Sequence, residues 1–375
     1  MRTFIEKNYE QLLQIIRDLC KIPAPSGKEE KRAQFCLDWL KKNGAESSYI
    51  DDALNVVFPY NCENSDKITV FVAHTDTVFP DTSPMPFSED EEKMYSPGIG
   101  DDTACVAVLL MMTKYLLENG VTPEKGFLIV CNSCEEGLGN LKGTRQIMKD
   151  YQGRIKQFIS FDIGSFDSVA DRCVGSHRYE VEVKTPGGHS FNKFGNKNAI
   201  AELSKIITKI YEIQVPEVGA SHTTYNVGNI EGGTSVNTIA QSAKMLCEYR
   251  SDNSDCLDIM KEAFESIFEN AKQEDVAVDV KTIGIRPCEK GVDPAEKEYL
   301  RDRVASVMES VAGSKVSFCS MSTDCNIPLS MGIPAVCMGV YVGGGAHTRE
   351  EWIDKNSLKA GLEISIKTSV ALADS

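Results

Sequence analysis

Histidine and acidic side chains, the residue types that bind divalent cations, follow several apolar runs of this chain. The candidates are His74 in HTDTV, Asp101 and Asp102 in GIGDD, Glu135 and Glu136 in CNSCEEG, Asp162 in FDIG, and His347 in GGGAHTREEW. Most of them come directly after a run typical of a buried strand. Ligand sites in an open α/β sheet collect beyond the carboxyl ends of its strands, so we expect these side chains to converge. Imidazole and carboxylate groups together suit a divalent cation, zinc above all.

The spacing of His74 and Asp76 has two interpretations. Side chains two residues apart on an extended segment point the same way. The carboxylate can then accept the imidazole N–H and orient a metal-bound histidine. Alternatively, Asp76 is a turn residue after a strand.

The two acidic pairs are equally ambiguous when each is taken alone. Adjacent side chains diverge, so Glu135 and Glu136 suit two different tasks, one on a metal and one on a water molecule. A solvated acidic loop is the alternative. Asp101 and Asp102 either bind metal or sit in the first turn of the following helix, where acids are favoured. Five such segments with glycine-rich stretches beside them favour the metal site.

The elements that must position these residues fall into two patterns. Residues 1–174 alternate helix and strand signals, and the same character returns over 286–375, which is typical of a mostly parallel sheet covered by helices. Ser26 and Glu29 have the spacing of a capping box at a helix start. Between these parts, 175–285 alternates strictly in its strands, as half-exposed antiparallel strands do. The sequence therefore predicts an α/β catalytic domain, discontinuous in the chain, with an inserted α+β domain.

Composition narrows the class of protein further. The 375 residues carry a formal net charge of −15, which argues against nucleic acid and an anionic membrane surface as partners. Apolar runs stay well short of the ~20 residues of a membrane helix, and acids interrupt the first twenty residues, unlike a signal peptide. The thirteen cysteines show no disulfide framework. We therefore expect a cytoplasmic protein; a redox role for Cys131 and Cys134 is the minor alternative.

A resemblance joins these separate motifs. HTDTV, GIGDD, CEEGLG, FDIG and GGGAH, in this order, resemble the zinc-dependent peptidase and deacylase family that includes glutamate carboxypeptidase, peptidase T, acetylornithine deacetylase and succinyl-diaminopimelate desuccinylase. TPGGHS, TTYNVGNIEGGTSVNTIA and EYR in the middle of the chain resemble the lid or dimerisation domain of that family. The likeness covers nearly the whole chain. Cys134 and Cys325 depart from the usual pattern beside motif residues, and neither replaces a ligand.

The resemblance implies two zinc ions per subunit, with cobalt or manganese as substitutes. It implies that Asp101 bridges the two ions. His74 and Asp162 complete one ion's protein ligands, and Glu136 and His347 complete the other's. It also implies a cis peptide bond between Asp101 and the residue after it.

Other roles follow from the same resemblance. Glu135 is the implied general base, Asp76 orients the first histidine ligand, and His189 stabilises the reacting carbonyl. The implied substrate contacts are Asn237, Arg250, Asp324 and Asn326. Asp324 has a second interpretation as a cap of the next turn.

The predicted activity is hydrolysis of an amide bond in a small peptide or N-acyl amino acid. A metallo-exopeptidase and an N-acyl amino acid deacylase are both compatible with the residues. A non-catalytic binding relative is the alternative from another class. We also expect a homodimer through the inserted domain, with a monomer as the alternative.

Overall fold

The computed structural model describes residues 1–63 and 65–373, and these residues form two compact units. Unit 1 consists of Met1–Cys173 and Lys290–Ser375, and unit 2 consists of Val174–Glu289. The sequence pattern predicts the insertion over 175–285. In the part of the chain that is described, none of the helices is both long and apolar enough to span a membrane.

Helices and strands account for most of the described residues. In chain order, the helices are α1 (Arg2–Cys20), α2 (Glu30–Lys42), α3 (Cys105–Glu118), α4 (Lys142–Asp150), α5 (Ala199–Tyr211), α6 (Ser254–Asn270), α7 (Pro294–Ala312), α8 (Asn326–Ser330) and α9 (Ser357–Leu372). The strands are β1 (Tyr49–Ile50), β2 (Val56–Tyr60), β3 (Ile68–His74), β4 (Ser88–Glu89), β5 (Lys93–Tyr95), β6 (Phe127–Asn132), β7 (Ile155–Ile163), β8 (Ser168–Cys173), β9 (Gly175–Lys184), β10 (Gly188–His189), β11 (Thr223–Gly232), β12 (Thr238–Ile239), β13 (Ser242–Ser251), β14 (Ala277–Arg286), β15 (Ser317–Met321), β16 (Ala335–Gly339), β17 (Gly343–Gly344) and β18 (Trp352–Asp354).

Unit 1 is built on a mixed sheet. Among the described residues, eight strands pair in the order β1-β2-β6-β3-β7-β16-β8-β15. The neighbours from β6 through β3 and β7 to β16 run parallel, and the outer strand β2 pairs antiparallel with β6. Strands β3 and β6 are buried over their whole length, as apolar runs in the middle of a parallel sheet must be. This architecture confirms the predicted α/β class.

Helices and a small second sheet complete unit 1. Helix α3 is apolar on nearly every side and packs with α1, α9 and strand β3, so it lies within the core. It begins three residues after Asp102 and therefore fixes one candidate ligand segment. The small sheet has the order β17-β18-β5-β4 over the described residues. It joins the segment before Asp101 to the segment after His347.

Unit 2 is an antiparallel sheet with helices on one face. In its described residues, four strands pair in the order β11-β13-β9-β14. Alternate side chains of β9 and β13 face α5 and α6, and the rings of Tyr179, Tyr249 and Phe264 pack there, with 4.9 Å between the last two centroids. Strict alternation in the sequence therefore gives one buried sheet face and one open face.

Candidate metal centre

The carboxyl ends of neighbouring parallel strands bring the candidate ligands together. His74 is the last residue of β3, and Asp162 is the penultimate residue of β7. Glu135 and Glu136 follow β6 after a short loop that begins at Ser133. Because β3 lies between β6 and β7, these side chains meet at one edge of the sheet.

The Asp101 carboxylate lies between the two histidines. Its Oδ1 atom is 3.0 Å from His74 Nε2, and its Oδ2 atom is 3.1 Å from His347 Nε2. Glu136 Oε1 lies 3.3 Å from His347 Nε2, and Asp162 Oδ1 lies 3.8 Å from His74 Nε2. One carboxylate with an oxygen toward each of two ligand pairs has the arrangement of a bridging group.

Asp102 has a different place from its neighbour. It is fully buried, and its Oδ2 atom accepts the backbone N–H of His74 at 2.8 Å. The peptide bond between Asp101 and Asp102 is cis, which confirms that expectation. Ring and carboxylate atoms of His74, Asp102 and Asp162 also lie within 4.8 Å of one another, so Asp102 is a further acid beside the first ligand pair.

The donor atoms of the cluster fit a divalent cation. Among the described residues, His74 Nε2, Asp101 Oδ1 and Glu136 Oε1 are buried and have no hydrogen-bond partner of good geometry. A buried polar atom without a partner costs about 1–3 kcal/mol, so three in one cluster need a common explanation. A cation bound by imidazole nitrogen and carboxylate oxygen satisfies all of them, and such donors suit zinc, manganese and cobalt.

The electrostatics of the cluster agree with this chemistry. Burial, together with the neighbouring carboxylates, raises the pKa of Asp162 to about 7 despite the opposing effect of His74. The carboxylates of Asp101 and Glu136, 3.1 and 3.3 Å from its Nε2 atom, raise the pKa of His347 to about 10. A raised pKa at both Asp162 and His347 indicates a site of negative potential, which a bound cation would neutralise.

Asp76 holds three parts of the site at once. Its Oδ1 accepts the backbone N–H of Glu135 and its Oδ2 that of Glu136, both at 2.9 Å. The Ser26 hydroxyl donates to Oδ2 at 2.6 Å. His74 Nδ1 lies 3.4 Å from Oδ1 and 3.1 Å from the Asp76 backbone oxygen. Asp76 therefore fixes the direction of the histidine ring and the backbone of both glutamates.

The start of α2 carries two buried charges that the sequence analysis did not assign to the site. Glu29 Oε1 accepts the backbone N–H of Cys134 at 3.0 Å, beside Glu135. Arg32 Nη1 donates to the Thr75 backbone oxygen at 3.0 Å. The capping box predicted at this helix start is wrong, because Glu29 is itself the N-cap residue and makes no side-chain cap. Its carboxylate is used by a loop 105 residues away instead.

Asp324 and Asn326 lie in unit 1 with their side chains turned into the protein. Asp324 is 1% exposed and accepts hydrogen bonds from Asn132 at 2.7 Å and from the Thr144 hydroxyl. Asn326 Oδ1 accepts the backbone N–H of Thr323 at 2.9 Å. These bonds hold both side chains within unit 1, and their assignment to substrate contact stays a prediction.

The remaining predicted residues lie in unit 2. Strand β10 pairs His189 with Thr238, and the Ser190 N–H donates to the Asn237 backbone oxygen at 2.9 Å, so His189 and Asn237 lie side by side on one exposed two-stranded sheet. The Phe191 N–H points to His189 Nδ1 at 3.3 Å. The neutral ring then carries its hydrogen on Nε2, where it can be donated to a ligand.

Arg250 lies on strand β13, outside that two-stranded sheet. Its Nε atom donates to Glu248 Oε1 at 2.8 Å, and Nη2 lies 3.2 Å from the other oxygen. Glu248 also accepts from Arg178 Nε at 3.1 Å. The guanidinium is therefore oriented by a neighbour on its own strand while it remains partly exposed.

A sheet that gathers histidines and carboxylates at its carboxyl ends is typical of metal-dependent enzymes. The chain belongs to Peptidase family M20/M25/M40, whose model matches residues 70–369, and this confirms the resemblance drawn from the motifs. It is therefore a metallo-exopeptidase or amidohydrolase, a hydrolase that acts on peptides or acyl-amino acids.

Individual relatives agree with the family. The chain is 25% identical over 346 residues to succinyl-diaminopimelate desuccinylase of Corynebacterium glutamicum, which covers 89% of each chain. Among solved structures, aminopeptidase PepT from Bacillus cereus has a TM-score of 0.75 at 18% identity, with 98% of this chain and 99% of that chain covered. The metallo-carboxypeptidase Sso-CP2 from Sulfolobus solfataricus has a TM-score of 0.77 at 15% identity, with 96% and 99% covered. These structures share the fold.

Proposed function

We propose that the protein hydrolyses an amide bond in a small peptide or N-acyl amino acid with two zinc ions per subunit. Asp101 would bridge the ions, with His74 and Asp162 on one and Glu136 and His347 on the other. The observation that carries this proposal is the position of the Asp101 carboxylate, with one oxygen 3.0 Å and the other 3.1 Å from the two histidines. Two zinc ions bound there would lower the pKa of a shared water toward neutrality.

Glu135 is the proposed general base. It is 4% exposed, and its carboxylate lies within 4.8 Å of a ring nitrogen of His74 and an oxygen of Glu136. The backbone N–H of Glu135 donates to Asp76 Oδ1 at 2.9 Å, so the main chain that carries the Glu135 side chain is held in place. A carboxylate oxygen of Glu135 accepts the proton of the attacking water and then donates it to the leaving amine nitrogen.

The residues of unit 2 are proposed to bind the substrate. His189, with its hydrogen on Nε2, donates to the carbonyl oxygen on which negative charge develops. Asn237 offers amide groups beside it, and Arg250 binds a carboxylate of the substrate through its guanidinium. We also propose that unit 2 supplies the contact of a homodimer, because strand β11 is a ten-residue sheet edge with most of its side chains exposed.

The test is an activity screen of the zinc-loaded protein over dipeptides, tripeptides and N-acyl amino acids. Release of a free amine in a metal-dependent manner is expected, and chelation should abolish it. A protein that binds zinc at the cluster and cleaves none of these classes would support the non-catalytic alternative. The N-acyl amino acid deacylase is the second candidate, favoured by the similarity to a desuccinylase over 89% of the chain. Preference for succinylated amino acids over dipeptides would select it.

A further inference from the structure

Glu351 lies four residues after His347, and its carboxylate contacts the backbone of the loop that precedes helix α3. It is 1% exposed. Its Oε2 accepts the backbone N–H of Gly98 at 2.6 Å, and its Oε1 accepts those of Gly100 at 3.0 Å and Asp101 at 2.8 Å. Hydrogen bonds from backbone N–H groups to a carboxylate are stronger than neutral ones. One side chain therefore fixes the backbone of the loop that delivers Asp101.

The backbone around Glu351 is attached to the same loop. The Ser96 N–H donates to the Glu351 backbone oxygen at 3.2 Å. The next residue, Trp352, pairs with Tyr95 between strands β18 and β5. The segment that carries His347 and the segment that carries Asp101 are thus joined by both main chain and side chain.

The loop has little room to move away from this carboxylate. A Cβ atom at Gly100 would lie 2.6 Å from the Tyr341 hydroxyl oxygen and 2.9 Å from Glu351 Oε1. A Cβ atom at Gly98 would lie 2.6 Å from Thr77 Cγ2, and this residue has a φ of +71°. Only glycine allows the backbone to approach so closely at these two positions.

We propose that Glu351 is a positioning residue that sets the separation of Asp101 and His347, and so the affinity for the ion that these two residues hold with Glu136. This inference rests on the proposed metal centre. The other ion shares Asp101 but is also held by His74 and Asp162, whose backbone belongs to central strands of the main sheet and does not contact Glu351 through the bonds above. Loss of Glu351 should therefore lower the affinity for the ion held by His347 and Glu136 much more than the affinity for the other ion.

The test compares Glu351→Gln with the control Glu350→Gln. The two changes remove the same charge from adjacent residues, but Glu350 is exposed, and its backbone N–H bonds a nearby threonine hydroxyl at 3.3 Å. Metal-free protein is titrated with Co²⁺, and binding is followed by visible absorption and calorimetry. Wild type and Glu350→Gln should bind two ions. Glu351→Gln should keep the affinity for one ion and lose about 10–100-fold in affinity for the other, the usual effect of removing a partner behind a ligand.

The outcomes separate this inference from the metal centre itself. Wild type that binds fewer than two ions contradicts the metal centre. Two ions in wild type and unchanged affinities in Glu351→Gln overturn the inference alone. Equal weakening of both steps also overturns it, because a merely structural residue has that effect. Circular dichroism checks folding; if Glu351→Gln does not fold, Glu351→Asp, which keeps the charge on a shorter side chain, must show the same selective loss.

Discussion

Glu135 and Glu136 form a matched pair for testing how the site divides its work. They are adjacent and almost equally buried, at 4% and 5% exposed. Asp76 holds both backbone N–H groups at 2.9 Å, one on each carboxylate oxygen. Replacing either side chain by glutamine keeps its size and leaves that backbone anchor in place. Any difference between the variants therefore reports what each carboxylate does.

Glu135→Gln should lose turnover and keep both metal ions. Removal of a general base typically costs 10²–10⁴-fold in rate, which is about 3–5 kcal/mol at 1.36 kcal/mol per tenfold. The loss should appear in kcat, because the base acts on the proton of the attacking water. Steady-state kinetics at saturating zinc measure the rate, and atomic emission on the same gel-filtered samples measures the metal.

Glu136→Gln is the matched comparison for Glu135→Gln, because it removes a proposed metal ligand instead of the proposed base. Its Oε1 atom faces His347 at 3.3 Å, so its loss should release one of two ions and lower activity through metal content. Excess zinc should then restore part of the activity to Glu136→Gln and none to Glu135→Gln. An active Glu135→Gln enzyme, or one that has lost both ions, would refute this division. Loss of the ions in Glu135→Gln would indicate that Glu135 is a metal ligand, which its distance from His74 and Glu136 also allows.

Three further predictions concern the frame of the site. Asp76→Asn places an NH₂ group against one of two backbone N–H donors, so we expect about 10–100-fold weaker metal binding, measured by competition with a chelating dye. Removal of metal should lower the unfolding temperature in calorimetry, since an ion at a hundredfold excess over its Kd adds about 2.7 kcal/mol. His189→Ala and Glu135→Ala should each be inactive; if the dimer shares His189 between subunits, mixing them restores activity. No recovery despite proven subunit exchange would mean that each unit 2 serves its own chain.

The strands and the cluster could be predicted because their signals are local. Each ligand segment follows an apolar run, and runs such as 68–73 and 127–131 have the composition of strands buried on both faces. The carboxyl ends of parallel strands meet at one edge of a sheet whatever their order in the chain. Position along a strand therefore implies position in space for His74 and Asp162. The return of the same pattern after residue 286 likewise indicates a discontinuous unit.

Residues whose partners are distant in the chain could not be placed in this way. Ser26 and Glu29 have the spacing of a local cap, yet the structure uses the serine for Asp76 and the glutamate for Cys134. Asp324 offers two interpretations in the sequence, and its oxygens bond Asn132 and a threonine hydroxyl inside the protein. The sequence pattern around a polar side chain is the same whether it bonds a local or a distant partner. The distant partner becomes known only with the fold.

The acids behind the ligands share one physical task. Asp76, Asp102, Glu29 and Glu351 are all buried and all accept backbone N–H groups from ligand segments or their neighbours. A loop residue can direct a carboxylate or imidazole toward a metal only if the backbone of the loop is held in place. A buried carboxylate that accepts backbone N–H groups holds the loop and leaves the side chain of the proposed ligand free to bind the ion. The bonds of Glu351 span 250 residues or more. The proposed ligands therefore define which atoms would meet the metal, whereas these four acids determine how rigidly they are held, and a chain that keeps the ligands but loses the four acids should bind metal weakly.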